Sequence, residues 1–271
     1  MPSLPIRKVI RRVHRAEKPK TTPSPKPSPP TIQGAVLDAI AAANIHSPLP
    51  GEALDIGSGD GGLVNAIRAR FGLRTSACDY SDTLMKNSTQ RVDIVDLNSD
   101  KLPYLDGRFS LVTCIETIER LEQTRPMLRE IFRVLEPGGL AVISTPNILN
   151  LPSRLRYLTT GFFSRFHPLP IRERCHPGGR INPVGYFCLA HALLETGFLD
   201  LEPRVDCYER RGWLPWIVLF FPMKIAGLFF WLREKNRFRT ITAGNRALVA
   251  AVNSRDLLLG RTLIICARKP M

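Results

Sequence analysis

The sequence predicts an α/β fold in which a seven-stranded, mainly parallel sheet carries helices on both faces. Three observations predict it. Short apolar runs alternate with amphipathic helical stretches, as expected of strands covered on both sides. A glycine-rich turn, Asp55-Ile-Gly57-Ser-Gly59-Asp-Gly61-Gly62, links the first such run to the first helix behind it. The chain has 271 residues, enough for one domain of this kind with insertions and too few for a multi-domain machine.

The first element is a tail. Residues 1–31 hold Arg7, Lys8, Arg11, Arg12, Arg15, Lys18, Lys20 and Lys26 against one acid, Glu17, so eight cations less one acid supply +7 of the formal net charge of +14. Pro19, Pro23, Pro25, Pro27, Pro29 and Pro30 interrupt it, which predicts disorder and breaks up an organelle presequence helix. Charge gathered in a tail says little about the domain, and an anionic membrane surface is at least as good a partner for it as nucleic acid; no specific nucleic-acid partner is expected.

The domain occupies residues 32–271. Ile32, Val36 and Ile40 recur at helical spacing and predict a helix over 32–44. A strand over 53–57, a helix over 63–71, a strand over 73–78, a short helix from Ser81 and a strand over 92–97 follow. Next come a strand over 109–115, a helix over 127–135 and a strand over 140–145. The rhythm breaks at a basic, aromatic, proline-rich insertion over about 148–181. It resumes with a helix over 183–197 and a strand over 198–206, breaks again over about 208–259, and ends on a strand over 262–267. Substrate contacts are expected from these two insertions. The six cysteines include no CxxC pair, which points to reduced thiols and a cytoplasmic setting.

A glycine-rich turn between strand and helix brings backbone N–H groups and a helix N-terminus close to a ligand. Gly57, Gly59 and Gly62 also satisfy the GxGxxG of dinucleotide enzymes, with Asp79 about 20 residues on as a ribose acid, so a dehydrogenase must be weighed. Asp55 opposes it, because a carboxylate beside the loop repels a pyrophosphate and suits a cationic amino-acid group. Asp79-Tyr80 then offers a diol acceptor followed by a ring for adenine, and Asp96-Leu97 an acceptor for the adenine amino group.

With Cys114-Ile-Glu116-Thr-Ile-Glu119 after the fourth strand and Leu135-Glu-Pro137-Gly138-Gly139 before the fifth, residues of about 53–147 resemble the small-molecule branch of the class I S-adenosylmethionine-dependent methyltransferases. The resemblance implies a Rossmann-like methyltransferase sheet and S-adenosylmethionine as cofactor. It would place Asp55, Gly57, Ser58, Gly59 and Gly61 at the methionine end, Asp79 at the ribose, Tyr80, Asp96 and Leu97 at the adenine, and the Cys114 backbone near the sulfonium. Residues 143–147 with Ser153, Gly161, Gly179 and Asn182 also resemble bacterial methyltransferases of surface-glycan and lipid-linked glycan assembly. Quinone-type O-methyltransferases commonly have histidine at the place of Arg120, and the glycan-associated proteins often have it at the place of Arg180; here neither place supplies an imidazole.

Methyl transfer needs alignment above all, and a base only to take the proton of a hydroxyl or amine. Glu116 and Glu119, three apart beyond the fourth strand, are candidates, with His176 in the first insertion and His167 beside it. His167, Cys175, His176, Cys188 and His191 lack a close thiol pair to anchor a metal, and none is expected.

Residues 213–232, WLPWIVLFFPMKIAGLFFWL, come close to the length of a bilayer span. Pro215, Pro222, Lys224 and Gly227 argue against a simple span, and Arg210, Arg211, Arg233, Lys235, Arg237 and Arg239 flank the segment. It reads as a broken hairpin or pair of interfacial helices at the inner face of a membrane, or else as a cover on the core or a dimer contact. O-methylation of a lipid-linked glycan or other amphiphilic small molecule follows as the first expectation. A non-catalytic membrane-associated binding module and a nucleic-acid methyltransferase are the alternatives.

Overall fold

A computed structural model of the chain describes residues 30–46, 49–86, 90–169 and 179–271. The basic tail as far as residue 29 lies outside them. Helix α1 (Pro30–His46) leads into β1 (Glu52–Ile56), α2 (Gly62–Phe71), β2 (Arg74–Asp79), β3 (Val92–Ile94), β4 (Phe109–Ile115), α3 (Thr124–Val134) and β5 (Leu135–Pro146). The order continues with α4 (Leu151–Thr160), α5 (Tyr186–Thr196), β6 (Leu199–Val205), α6 (Trp213–Arg233), α7 (Arg246–Ala251), α8 (Arg255–Leu259) and β7 (Thr262–Arg268).

The seven strands form one sheet in the order β3-β2-β1-β4-β5-β7-β6. Only β7 is reversed, antiparallel to both β5 and β6. Every residue of β4 is buried, as the unbroken apolar run of a central strand requires. Two cores flank the sheet. One joins Ile32, Val36 and Ile40 of α1 to Ile67, Val142 and Ile264; the other joins Leu128 and Ile131 of α3 to Leu189 and Leu193 of α5, with Phe132 edge-on to Phe198. Strand order reverses between β1 and β4, so the crevice beyond their carboxyl ends is where an open α/β sheet takes its ligand.

Several elements depart from expectation. Instead of a helix from Ser81, residues 83–84 form a turn, and no helix joins β2 to β3 among the described residues. The predicted strand over 92–97 stops at Ile94, because the Asp96 carboxylate accepts from Asn98 N (3.0 Å) and Ser99 Oγ (3.0 Å) and turns the chain. The Glu136-Pro-Gly-Gly stretch is a bulge inside β5, pinned to the C-terminal residues by Gly138 N donating to Lys269 O at 3.0 Å. The first insertion contains a helix, α4, capped by Asn150 Oδ1 accepting from Ser153 N at 2.8 Å.

The second insertion holds the largest correction. Residues 213–232 fall in one continuous helix, α6, which passes into a wider turn at Glu234–Phe238. Pro215 sits in its first turn, where a missing N–H breaks no bond, and Pro222 removes only one bond from a helix long enough to continue. No residue of α6 is buried, so it is not a cover on the core. Leu214, Ile217, Val218, Phe221, Ile225 and Phe229 are each more than three-fifths exposed.

Candidate active site

The glycine turn leaves the tip of β1 and runs into α2. Gly57 has φ +73°, and a side chain there would put its Cβ 2.1 Å from Thr117 Oγ1, so only glycine lets the tips of β1 and β4 meet. Thr117 closes that contact by donating to Ile115 O at 3.1 Å. Gly59, at φ +52°, has nothing within 4 Å of such a Cβ and faces open space. Gly61 caps α2 at φ +76°.

Around this turn lie the acids. Asp55, near the end of β1, is 4% exposed and accepts from Thr113 Oγ1 at 2.7 Å; burial pushes its carboxyl up to about 7. Asp79 ends β2 and accepts from Gly59 N (2.9 Å) and Tyr80 N (2.7 Å); burial raises its pKa above the usual carboxylate value, against those backbone donors. Ser58 is buried and its Oγ has no hydrogen-bond partner. A cofactor with an ammonium and several polar groups fits this set: a buried acid without a cation, an orphaned hydroxyl, and an open face at Gly59. Tyr80 is 40% exposed at the mouth of the crevice. Asp96 is occupied by its own turn and Leu97 packs against the core. Cys114 is fully buried in β4, with its thiol pushed well above the ordinary value by burial, so only its backbone is on offer.

Beyond β4 the chain makes an unusual bend. Glu116 adopts φ +53°, rare for a glutamate, and is held there by its N–H donating to Ser144 O (3.2 Å) and Ser144 Oγ (3.1 Å). Glu119 follows in the single helical turn Ile118–Arg120. Arg180 joins the two: its Nη2 donates to Glu116 Oε2 at 2.6 Å and its Nε to Glu119 Oε1 at 3.3 Å. The backbone of Ile181 and Asn182 then donates to Glu119 O at 3.0 and 2.9 Å, fixing the segment from the first insertion on the turn. Arg120 Nε donates to Glu116 O at 3.0 Å.

The other oxygen of each acid, Glu116 Oε1 and Glu119 Oε2, is buried without a hydrogen-bond partner. Glu119 has no exposure, and burial, with the Glu116 charge second, pushes its carboxyl up to about 7. Glu119, buried beside the Glu116 carboxylate, can hold a proton near neutral pH.

The structure therefore brings Asp55, the glycines, Asp79, Glu116 and Glu119 to one end of the sheet. His176 lies outside the described residues, and His167 is exposed. His191 pairs with Glu195 at 3.5 Å, and no three metal-ligating side chains come together among the described residues. Sequence reasoning missed the bridge made by Arg180. The only signal for it was an arginine where related proteins carry histidine.

Residues 54–143 match the model of a methyltransferase domain family. The chain is similar to the ubiquinone biosynthesis O-methyltransferase of Xanthomonas campestris, 31% identical over 141 residues that cover 49% of this chain and 57% of that protein. It is also similar to norajmaline N-methyltransferase of Rauvolfia serpentina, 30% identical over 137 residues covering 46% and 47%. The matched stretch spans about half the length of these curated relatives. Among solved structures, a SAM-dependent methyltransferase from Archaeoglobus fulgidus shares the fold with a TM-score of 0.54 at 15% identity, over 88% of this chain and 93% of that one.

Proposed function

We propose that this chain, whose residues 54–143 match a methyltransferase domain family, is a class I S-adenosylmethionine-dependent methyltransferase that methylates a hydroxyl of an amphiphilic small molecule, a lipid-linked glycan in the form its surface suits best. One observation carries the reading: Glu116 Oε1 is buried and unpartnered, on the residue between the end of β4 and Thr117, which packs on Gly57 of the glycine turn. S-adenosylmethionine, when bound, supplies an electrophilic methyl carbon.

Asp55 would hold its ammonium, Gly57, Ser58, Gly59 and Gly61 its methionine end, Asp79 its ribose, Tyr80, Asp96 and Leu97 its adenine, and the Cys114 backbone would lie near the sulfonium. Glu116 Oε1 accepts the proton of the attacking hydroxyl. Arg180 keeps the other oxygen of Glu116 engaged and so fixes the direction in which Oε1 points. Glu119 is the more deeply buried of the two and acts through Arg180, as a positioning residue.

The acceptor class follows from α6. A helix apolar on every side belongs in a core or in lipid, and this one is not buried. Its N-terminal end is tied to the domain at Arg210–Gly212, with Tyr208 bridging to Gly260, and its C-terminal end returns through α7, whose Leu248 is in the core. Both ends thus stay on one body, which favours a helix lying along a membrane face over one crossing it. Arg210, Arg211, Arg233, Lys235, Arg237 and Arg239 flank it and suit the anionic inner surface facing the cytoplasm.

Calorimetric titration with S-adenosylhomocysteine tests the enzyme reading. Micromolar binding is expected; no heat at millimolar ligand removes the reading.

A further inference from the structure

A cavity of about 500 Å³ lies between α6 and α7, against the first turn of α5. Met223, Gly227 and Trp231 of α6 form one wall, Val249 of α7 and Ile241 the other, and Phe187 of α5 closes an end. Most of the polar groups around it are already engaged, and the one lining cation, Lys224, lies with its Nζ 5.7 Å from the Phe220 ring centroid. Glu234 accepts from Thr240 Oγ1 at 2.7 Å, Asn245 Nδ2 donates to Thr240 O at 2.8 Å, and Asn253 Oδ1 accepts from Arg154 at 2.9 Å. A ligand that brought polar groups here would find few free partners, whereas hydrocarbon would lose nothing. Gly227 lies at the wall within a helix, where glycine is less favourable than alanine. A Cβ on it would touch only Asn253 Nδ2, at 3.7 Å, so the glycine keeps a space open.

Position supplies the second argument. The same helix that walls the cavity turns its opposite, unpartnered apolar face outward. The α5 turn that closes the cavity is the one into which the Glu119-binding residues Ile181 and Asn182 lead. A chain leaving a hydrocarbon phase along α6 would therefore be received next to the element that frames the acid pair.

We propose that this cavity is a binding site for the single hydrocarbon chain of a membrane amphiphile, the acceptor's tail; the assignment to an acceptor rests on the function proposed above, the chain site itself does not. The protein has three tryptophans, Trp213, Trp216 and Trp231. In the full chain carrying Trp213→Phe and Trp216→Phe, Trp231 is the only reporter, and it lines the cavity. Titration with 12-bromododecanol below its aggregation limit is expected to quench Trp231 saturably, with dodecanol competing. Gly227→Leu, which improves helix propensity while filling the space, should weaken that quenching at least ten-fold, and Val249→Phe should do the same from the other wall.

Vesicles of brominated phosphatidylcholine form the second arm. Quenching by these two-chain lipids should be indifferent to Gly227→Leu, because they reach only the outer face of α6. Non-saturable quenching by 12-bromododecanol, or quenching untouched by both variants, would overturn the site. Vesicle quenching that depends on Gly227 would assign the cavity to bulk lipid and overturn the single-chain proposal. All these readings are independent of methyl transfer and of S-adenosylhomocysteine binding, so the failure of the enzymatic reading is seen separately.

Discussion

The guanidinium of Arg180 lies 2.6 Å from the Glu116 carboxylate, across 64 positions of sequence. Removing it takes the hydrogen-bonded guanidinium from two buried acids and leaves Arg120 as a nearby cation. We expect Arg180→Ala to cost about 2 kcal/mol of stability at pH 8, less than the roughly 3–5 kcal/mol of a fully buried broken pair because Arg180 is partly exposed and Arg120 is near. The cost should shrink at pH 5, where protonation relieves the stranded charge. Urea unfolding at both pH values measures this, and an equal loss at each would contradict the arrangement. Arg180→Lys should recover only part, since one ammonium does not span both acids.

Glu119 makes a related prediction through linkage. Its carboxyl titrates near 7 in the folded protein against a usual 4.5, so the folded state holds its proton longer than the unfolded chain. Stability from this group is complete below pH 4.5 and is lost as pH rises to about 7. Glu119→Gln should flatten that part of the stability profile. A decline between pH 4.5 and 7 that is as steep in the variant as in the parent would show that the proton sits elsewhere.

Asp55 carries the equivalent test for the cofactor. Its carboxyl is raised to about 7, chiefly by burial. An ammonium favours the ionised form, so S-adenosylhomocysteine affinity should rise as pH passes up through 7. Asp55→Asn should weaken binding roughly ten- to hundred-fold, the scale of one charged hydrogen bond, and abolish the rise. Calorimetry at pH 6 and 8 gives both numbers.

Two glycines separate a close approach from mere backbone preference. Gly57 and Gly72 both have positive φ, +73° and +69°, but only at Gly57 would a Cβ meet a neighbour, Thr117. Gly57→Ala should therefore lose about 1–3 kcal/mol more than Gly72→Ala, the usual range for overpacking, together with ligand binding. Thermal melts of the two variants decide it, and equal losses would remove Thr117 from the account.

What was legible in the sequence was local. The glycine turn, Asp79 and the buried run of β4 announce themselves within a few residues, because strand, turn and helix each have a short-range signature. Arg180 was not legible in the same way, since its reach to Glu116 and Glu119 depends on how the first insertion folds back onto the turn after β4. Asp96 has the residue type of a ligand acceptor but also closes its own turn, a competition that residue type alone does not resolve. The prolines of α6 signal a break by residue type alone, yet Pro215 stands in the first turn, where a helix tolerates it.

The outward face of α6 yields the last prediction. Phe221 and Ile225 are 73% and 70% exposed, so charging them should leave the thermal midpoint within a degree or two of the parent. If that face enters lipid, each side chain contributes about 1.5–3 kcal/mol of transfer free energy. Phe221→Glu with Ile225→Glu should then reduce partition to anionic vesicles at least ten-fold. The flanking arginines add an electrostatic share, so binding of the parent should weaken between 0.05 and 0.5 M salt, roughly where screening shortens below the reach of a surface charge. An apolar contact between two copies of the chain would respond differently: the double variant would then change the sedimentation of the protein alone and leave its vesicle binding as it was. Sedimentation with and without vesicles therefore decides which hydrophobic phase this helix is built to meet.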